Sequence, residues 1–578
     1  MSTRGPNPND PVENLAIGTI IEVDGPHIVA ELDPQIVELS RVFGGVVYSI
    51  GQFGSIIKVH FGRRLIYGYV CRLRMKADYE RERGLQAGAA ATARVIEADL
   101  FGEGEWVFKA DVAPAHWELR FERGVSTFPL PQQEMYLTPQ SELAFIYGQG
   151  KGATIRLGEH VGSGGTPCYA DMNELLGKHT AVLGSTGSGK SAAVAAILHC
   201  LLERSGQNPK WNPRIVILDP HNEYGAAFPG HKRLSTDEGS LRLPYWLFNL
   251  QESINLLIGK TEFVATSQAN IVKTALTNAR VAAAPTVGLD PTKLTVDSPS
   301  PYSLDTLVAE VEKQRPPGRD KKEQEPYNSV LNKLDVLKRD ARMKFLMDAW
   351  DGKNDDFPTV VSQFFGGGDP IRIVDLSGVP NEVAGVASAV IARTLFSVKL
   401  WQTLPEREQS PLLLVCEEAH RYVPNRGEAQ YEAAQEAIRR LAKEGRKYGL
   451  GLMLVSQRPS EVEATVLSQC NSWIVLRITN DADREHVRNV LPDSLAGLTQ
   501  VLSGLRRREA IFVGLAAMLP SRILIRFLTD KELPRSHDID FDKGWQNDQL
   551  DAAKLLEIGK RWRLQSRETA DPPPASAP

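Results

Sequence analysis

The stretch that decides the fold is Gly184-Ser185-Thr186-Gly187-Ser188-Gly189-Lys190-Ser191. It matches the pattern G-x-x-x-x-G-K-[ST] at every fixed position, with an apolar run before it and a helical pattern after it. The glycines allow successive backbone N–H groups to surround an anion at a helix N-terminus. In such a loop Lys190 reaches the β- and γ-phosphates, and the Ser191 hydroxyl helps to hold Mg²⁺. We therefore predict that these eight residues bind a nucleoside triphosphate.

Continuous apolar runs on both sides of this loop indicate a parallel sheet. Strands that are buried on both faces are apolar throughout, and helical patterns between them are typical of a wound α/β fold. The interval from about 250 to 350 is helical, and we interpret it as an insertion between two strands. The apolar runs are residues 180–183, 214–218, 371–374, 412–416, 450–455 and 473–478.

The N-terminal region, from residue 15 to about 130, has a β-rich pattern instead. Residues 18–30 contain two such runs around Asp24-Gly25, which is a turn signal. Apolar and polar residues alternate over 57–61 until Gly62 interrupts them. Short strands separated by glycine turns predict a small antiparallel barrel. Such a barrel serves either as a binding module or as an assembly collar.

The composition of the 578 residues excludes several classes of protein. Lys and Arg number 67 against 71 Asp and Glu, which gives a net charge of −4. Because the chain is not basic overall, any nucleic acid would have to bind at a local basic patch or channel. The five cysteines are scattered and form no CxxC pair, which argues against a disulfide framework or a structural zinc site. The N-terminus has no signal-peptide core, and we find no uncharged apolar run of about 18 residues. We expect a cytoplasmic protein without a membrane segment.

Two acids follow the apolar run 412–416. Adjacent carboxylates at a strand end can divide two tasks: Glu417 would hold the Mg²⁺ shell, and Glu418 would orient or deprotonate the attacking water. The alternative is an acidic helix cap after a core strand. His420 would either sense the γ-phosphate or serve as a capping or packing residue.

Further polar residues follow two other predicted strands. Gln457 comes after 450–455 and Asp219 after 214–218. The carboxyl ends of parallel strands face the ligand crevice, so Gln457 is a candidate reader of the γ-phosphate or water, and Asp219 a second catalytic candidate. The alternatives are a strand-end turn residue for Gln457 and a structural cap for Asp219.

A basic segment at the end of a predicted helix, 428–447, supplies a candidate arginine finger. Arg446 cannot lose its charge, and its guanidinium fork matches phosphoryl oxygens. An arginine supplied by a neighbouring subunit accelerates hydrolysis by roughly 10³–10⁵. Arg439 and Arg458 are weaker candidates. The alternative for this helix end is simple compensation of the helix dipole.

Together these motifs resemble the HerA branch of the HerA/FtsK ATPases. The motifs that carry the resemblance are Gly184–Ser191 and the segments 219–224, 417–424, 444–449 and 454–459. The resemblance implies a RecA-like P-loop core with an N-terminal β-barrel and an inserted helical subdomain. It also implies a homohexameric ring that uses ATP and Mg²⁺ to move double-stranded DNA. In that family the catalytic carboxylate corresponds to Glu418 and the finger to Arg446, whereas Lys178-His179 stands where related sequences often have Arg-His.

The resemblance also sets the predicted domains and partners. Members of this branch work beside an effector, either a nuclease or a sirtuin-like NAD-consuming protein, in DNA-end processing or antiphage defence. Two alternatives are an ATPase scaffold that regulates an effector without processive movement and, less favoured because no membrane segment is expected, a conjugation- or segregation-type DNA pump. The predicted domains are a tail at 1–14, a barrel at 15–150, a first segment of the ATPase core at 151–250, the helical insertion at 251–355, a second segment of the core at 356–530, and a C-terminal brace and disordered tail at 531–578.

Overall fold

The computed structural model describes most of the chain. The described residues are 7–84, 92–110, 115–148, 152–161, 165–208, 210–236, 239–258, 265–318, 320–379, 381–425, 432–491, 501–535, 541–546 and 551–564. They form two compact units. Unit 1 takes its residues from 7–200, 457–460 and 470–527, and unit 2 from 201–456, 461–469 and 528–564.

Strands make up the barrel and the sheets. They are β1 (Ala16–Asp24), β2 (His27–Leu32), β3 (Ser40–Phe43), β4 (Val46–Ser49), β5 (Ile56–Phe61), β6 (Arg64–Met75), β7 (Arg94–Lys109), β8 (His116–Arg123), β9 (Glu134–Leu137), β10 (Thr154–His160), β11 (Pro167–Asp171), β12 (Thr180–Leu183), β13 (Ile215–Asp219), β14 (Lys232–Ser235), β15 (Ile371–Asp375), β16 (Leu412–Cys416), β17 (Leu450–Ser456), β18 (Ser472–Val475), β19 (Glu509–Gly514) and β20 (Ser521–Ile525).

Helices account for much of the remainder. They are α1 (Lys76–Glu82), α2 (Gln140–Ile146), α3 (Met172–Gly177), α4 (Lys190–Gln207), α5 (Tyr224–Ala227), α6 (Leu250–Leu257), α7 (Ala265–Ala283), α8 (Leu304–Lys313), α9 (Lys321–Arg339), α10 (Phe357–Phe365), α11 (Asn381–Trp401), α12 (Leu404–Gln409), α13 (Glu432–Glu444), α14 (Ala464–Leu467), α15 (Asp481–Val490), α16 (Phe541–Trp545) and α17 (Ala552–Leu564).

The N-terminal strands of unit 1 close into a small barrel. Six strands follow one another in the order β2-β1-β9-β5-β6-β7, and β2 pairs with β7 to complete the circle. β8 extends the sheet by pairing with β7. Gly25 and Gly62 occupy the predicted turns with positive φ angles of 55° and 63°, a conformation that glycine adopts without a steric penalty. The predicted barrel is confirmed.

A second sheet in unit 1 leads to the phosphate loop. Its strands lie in the order β11-β10-β20-β19-β18-β12. β12 pairs with β18 in parallel, whereas the remaining neighbours are antiparallel. β12 is buried along its whole length, as its continuous apolar sequence predicts. Its last residue, Leu183, leads directly into the loop.

Unit 2 contains a parallel sheet in the order β17-β16-β13-β15-β14. Every residue of β13, β15, β16 and β17 is buried. Between β14 and β15 lie helices α6 to α10; α6 to α9 correspond to the helical insertion predicted at 251–355, and α10 follows it. The prediction of a mostly parallel α/β fold with a barrel and a helical insertion is therefore confirmed.

Several element boundaries differ from the sequence-based prediction. The run 473–478 is a shorter strand, β18, which ends at Val475. The helix predicted over 428–447 ends at Glu444, where Gly445 begins a 3-10 turn that runs to Tyr448. Gly449 follows with a φ of 69°, and a glycine in this left-handed conformation is a common helix terminator. Residues 426–431 and the predicted tail after 564 lie outside the described residues.

Helix α11 is long and apolar enough, over Val383–Trp401, to cross a membrane by length and composition. Yet 67% of that segment is buried inside the protein. Ala387, Val390 and Ile391 are fully buried. This is the burial expected of a core helix.

Candidate functional site

The phosphate loop of unit 1 has a backbone that requires glycine. Gly187 and Gly189 have φ angles of 72° and 96°, which side chains rarely allow. A Cβ atom at Gly184 would lie 2.6 Å from the Ser188 Oγ and 2.9 Å from the Cβ of Leu476. The sequence pattern therefore reflects real steric limits on this loop.

The polar groups of the loop are well suited to a polyphosphate. Lys190 is only 7% exposed, and its Nζ lies 3.4 Å from the carbonyl oxygen of Ser185. Ser188 is 2% exposed, and its hydroxyl has no hydrogen-bond partner among the described residues. Ser191 lies in the first turn of α4, where backbone N–H groups have no partner within the helix. A cation, hydroxyls and N–H donors thus converge where the sequence predicts phosphates.

Gln457 lies against this loop. The Thr186 hydroxyl donates a hydrogen bond of 2.6 Å to Gln457 Oε1. On another part of the loop, the backbone N–H of Thr479 donates to Ser185 Oγ at 3.1 Å. The structure therefore brings Gln457, one of the candidates chosen from strand ends, into contact with the phosphate loop within unit 1.

The two acids predicted to follow β16 lie in unit 2. Glu417 and Glu418 are 2% and 6% exposed. The Tyr224 hydroxyl donates a hydrogen bond of 2.5 Å to Glu417 Oε2. Burial and the Glu417 carboxylate raise the pKa of Tyr224 well above its usual value, so the hydroxyl stays protonated and remains a donor.

Glu418 has a backbone conformation that is unusual for its residue type. Its φ is 55° and its ψ is 52°, in the left-handed region. Residues held in this region store backbone strain and cluster at functional sites. Its Oε2 atom lies 3.2 Å from Nδ1 of His420, which is also 3.2 Å from the Ser456 hydroxyl. His420 therefore packs between the carboxylate and the end of β17.

Asp219 organises the loop after β13. It is fully buried, and its carboxylate accepts hydrogen bonds from the backbone N–H groups of Tyr224 at 2.9 Å and His221 at 3.3 Å. Burial raises the pKa of Asp219 to about 6, although these N–H donors oppose the shift. Tyr224 thus joins both acids: its N–H binds Asp219 and its hydroxyl binds Glu417.

Arg446 lies on the 3-10 turn after α13, also in unit 2. It is exposed, and its guanidinium pairs with no carboxylate among the described residues. The weaker candidate Arg439, by contrast, donates to both carboxylate oxygens of Glu463 at 2.6 and 2.8 Å. Arg446 is therefore the one of these two that has its charge available for another molecule.

The donor set also fits Mg²⁺. Among the described residues no group of three or more His, Cys, Asp or Glu side chains could hold a metal by itself. Mg²⁺ in nucleotide enzymes is typically held by one or two carboxylates together with substrate phosphates and waters. The residues that the sequence predicts for such a shell are Ser191, in unit 1, and Glu417, in unit 2.

Comparison with known proteins finds a family model that matches part of the chain. Residues 155–395, from β10 into α11, match the family model described as "Helicase HerA, central domain". This part of the chain is therefore similar to the HerA central domain. The predicted resemblance to the HerA branch is confirmed, and so is the predicted enzyme class, an ATPase of the helicase type.

Several proteins are similar to this chain over most of its length. A probable helicase of Methanocaldococcus jannaschii is 28% identical over 420 residues, which are 68% of this chain and 74% of that protein. The DNA double-strand break repair helicase HerA of Pyrococcus furiosus is 28% identical over 395 residues, which are 63% and 67% of the two chains. The solved structure of VirB4 of Thermoanaerobacter pseudethanolicus covers 66% of this chain and 99% of its own at 18% identity, with a TM-score of 0.45.

Two contacts in unit 2 could not be predicted from the sequence. Tyr224 belongs to the segment 219–224 that marks the family, but nothing in its spacing predicts a hydroxyl bonded to Glu417. Ser456 directly precedes Gln457, and the structure shows its hydroxyl beside His420. The sequence feature that could have pointed to Tyr224 and Ser456 is their position close to a strand end.

Proposed function

We propose that this chain is an ATP-hydrolysing ring motor that translocates on or unwinds double-stranded DNA. The observation that carries the proposal is the glycine-dependent phosphate loop, with buried Lys190, inside a chain that matches the HerA central domain. A relative over most of the chain is the DNA double-strand break repair helicase HerA of Pyrococcus furiosus, which supports duplex DNA as the substrate. We propose a cytoplasmic location, where that substrate is found.

Each site residue has a proposed task. The N–H groups of the loop Gly184–Ser191 and the Lys190 ammonium bind the phosphates of ATP. Ser191 and Glu417 contribute to the Mg²⁺ shell, and Tyr224 keeps the Glu417 carboxylate oriented. When bound, Mg²⁺ neutralises charge on the phosphate oxygens.

Water activation is assigned to a second set of residues. Glu418 orients the attacking water and accepts its proton, and His420 beside it restrains the carboxylate. Gln457, bonded to Thr186, reads the γ-phosphate. For Asp219, the geometry supports the structural alternative, since its carboxylate is occupied by backbone N–H groups of its own loop.

The finger and the ring belong to the same proposal. Arg446 is exposed and has no carboxylate partner among the described residues, which supports its insertion into the site of the next protomer. A homohexamer would then hydrolyse ATP at the contacts between its subunits.

We further propose an effector, a nuclease or a sirtuin-like NAD-consuming protein, in antiphage defence or DNA-end processing. The effector is a separate chain, and co-purification followed by mass spectrometry identifies it.

The deciding experiment measures ATP hydrolysis with and without duplex DNA at low salt. A motor should be stimulated several-fold, and the stimulation should decline steeply as salt rises, because phosphate contacts release counterions. Glu418→Gln, the matched inactive control, should bind ATP and not hydrolyse it. Unchanged turnover at saturating DNA would favour the alternative of an ATPase scaffold that regulates the effector.

Mixed rings test the finger. Arg446→Ala and Lys190→Ala should each be inactive alone. Mixed together they should regain a fraction of the activity, because an intact loop from one protomer meets an intact finger from the other. Full activity of Arg446→Ala alone would contradict the proposed finger.

A further inference from the structure

The 3-10 turn that carries Arg446 is held by an aromatic contact. The guanidinium of Arg407 lies over the ring of Tyr448, 4.6 Å from the ring centroid. The ring of Phe396, on α11, meets Tyr448 edge-on at 5.4 Å between centroids. Tyr448 is the last residue of the turn, two positions after Arg446.

Arg407 is itself fixed to the end of α11. Its Nε donates to the carbonyl oxygen of Lys399 at 3.0 Å, and its Nη2 donates to that of Leu400 at 2.7 Å. These bonds satisfy carbonyl groups that the last turn of a helix leaves without partners. The guanidinium is therefore held in one orientation while its face covers the Tyr448 ring.

The far end of the turn is fixed as well. Leu412, the first residue of β16, donates its N–H to the carbonyl oxygen of Gly449 at 2.9 Å. Gly449 has a φ of 69°, and a Cβ atom there would lie 3.3 Å from the carbonyl oxygen of Arg407. The backbone on which Arg446 stands is thus tied to α11, α12 and β16 while the Arg446 side chain stays exposed.

A second cation, Lys399, lies close to Arg407. Lys399 is fully buried, and its Nζ donates to the backbone oxygen and the hydroxyl of Ser410 at 2.6 and 2.9 Å. Burial, together with the nearby charges of Arg214 and Arg407, lowers the pKa of Lys399 to about 8. Among the described residues no carboxylate pairs with Lys399 or Arg407. Backbone and hydroxyl oxygens, and not acids, therefore hold these two cations in place.

We propose that Arg407 and Tyr448 are positioning residues that hold the turn so that Arg446 reaches the nucleotide of a neighbouring copy of this chain. The inference rests on the proposed function, in which Arg446 acts between protomers. Misplacing a catalytic group by about 1 Å can lower a rate about 10²-fold. Loss of the stack should therefore impair hydrolysis and leave ATP binding, which depends on the protomer's own loop, unchanged.

Mixed rings test this proposal with a pattern that a general folding defect does not produce. Arg407→Ala and Tyr448→Leu should each lower kcat at least about 10-fold with unchanged ATP affinity. Mixed with Lys190→Ala, either variant should regain activity, because its loop is intact and the partner supplies a well-placed finger. Mixed with Arg446→Ala, neither should regain activity, because no protomer then supplies a working finger.

Two controls complete the experiment. Tyr448→Phe keeps the ring and should retain near-normal kcat. Arg204→Ala removes a comparable contact elsewhere, in which Arg204 lies 5.2 Å from the Trp211 ring centroid, and should leave kcat unchanged. Size-exclusion chromatography shows whether Arg407→Ala forms rings. If it does not, comparison of the kcat of Tyr448→Leu with that of Tyr448→Phe tests the positioning role.

The outcomes separate the two proposals. Normal kcat in both Arg407→Ala and Tyr448→Leu, with Arg446→Ala inactive, overturns the positioning role alone. Rescue of Arg407→Ala by Arg446→Ala also overturns it. A fully active Arg446→Ala overturns the proposed finger and the positioning role together.

Discussion

The Thr186 hydroxyl donates a hydrogen bond of 2.6 Å to Oε1 of Gln457, a residue 271 positions further along the chain. The contact links the phosphate loop to the residue that directly follows β17. The bond engages only the acceptor Oε1, so the Nε2 amide is the group of Gln457 that would donate to a bound phosphate.

Gln457→Ala should lower kcat at least about 10-fold, because removal of one donor to a developing charge typically costs more than this. ATP affinity should change much less, since Lys190 and the loop N–H groups remain. Steady-state kinetics and binding of a fluorescent ATP analogue measure the two quantities. Gln457→Glu provides a second comparison, because its added negative charge should weaken ATP binding. An unchanged kcat in Gln457→Ala would remove Gln457 from the mechanism.

Replacement of Glu418 should separate stability from activity. The left-handed conformation at φ 55° costs a residue with a side chain about 1 kcal/mol more than it costs glycine. Glu418→Gly should therefore have a free energy of unfolding about 1 kcal/mol higher than Glu418→Ala, measured with chemical denaturant. Both variants should lose ATP hydrolysis, because the carboxylate is gone. Equal or lower stability of the glycine variant would argue against backbone strain at this position.

Tyr224→Phe removes only the hydroxyl that donates to Glu417. The ring remains, so the fold should be kept, while the buried carboxylate loses a donor at a cost of about 1–3 kcal/mol. Outer-shell changes of this kind typically weaken metal affinity or activity by roughly 10–100-fold. We expect the Mg²⁺ concentration for half-maximal ATP hydrolysis to rise at least several-fold. The same Mg²⁺ midpoint in both proteins would mean that the Tyr224 hydroxyl does not position Glu417 for the metal shell.

The pair formed by His27 and Asp99 makes barrel stability depend on pH. His27 Nδ1 lies 2.7 Å from Asp99 Oδ1, across the strands β2 and β7 that close the barrel. The hydrogen bond to Asp99 raises the pKa of His27, although burial opposes the shift. A raised histidine pKa stabilises the folded state fully below the unfolded value of about 6.5, and this stabilisation is lost as the pH rises through the folded pKa.

His27→Gln should therefore melt at a lower temperature than the unmodified protein at pH 5.5, with the difference shrinking towards pH 8.5. The His27 side chain is 38% exposed, so solvent screening should limit the effect to less than about 1 kcal/mol. Thermal unfolding followed across this pH range provides the test. A melting difference that does not depend on pH would rule out titration of this pair as its cause.

The sequence predicted the elements around the site more accurately than the contacts between them. The runs 180–183 and 412–416 coincide with β12 and β16, because strands buried on both faces must be apolar at every position. The helix before Arg446 was predicted too long. Helical periodicity continues through Gly445, whereas the backbone leaves the helix there.

The choice between alternatives at single residues needed the structure. Asp219 and Glu417 both follow apolar strands and look equivalent in sequence. In the structure the Asp219 carboxylate accepts N–H groups of its own loop, whereas Glu417 accepts the Tyr224 hydroxyl from 193 residues away. Strand-end position alone does not reveal whether a carboxylate is already occupied.

The phosphate loop, the apolar strands and the HerA resemblance can be recognised in the amino-acid sequence, because each depends on residue types at short, fixed spacings. The closure of the barrel through β2 and β7, the contact of Gln457 with Thr186 and the stack of Arg407 on Tyr448 became visible only in the folded chain. These contacts join residues that are far apart in the chain. Their geometry depends on how whole elements pack, and no local pattern of residues encodes it.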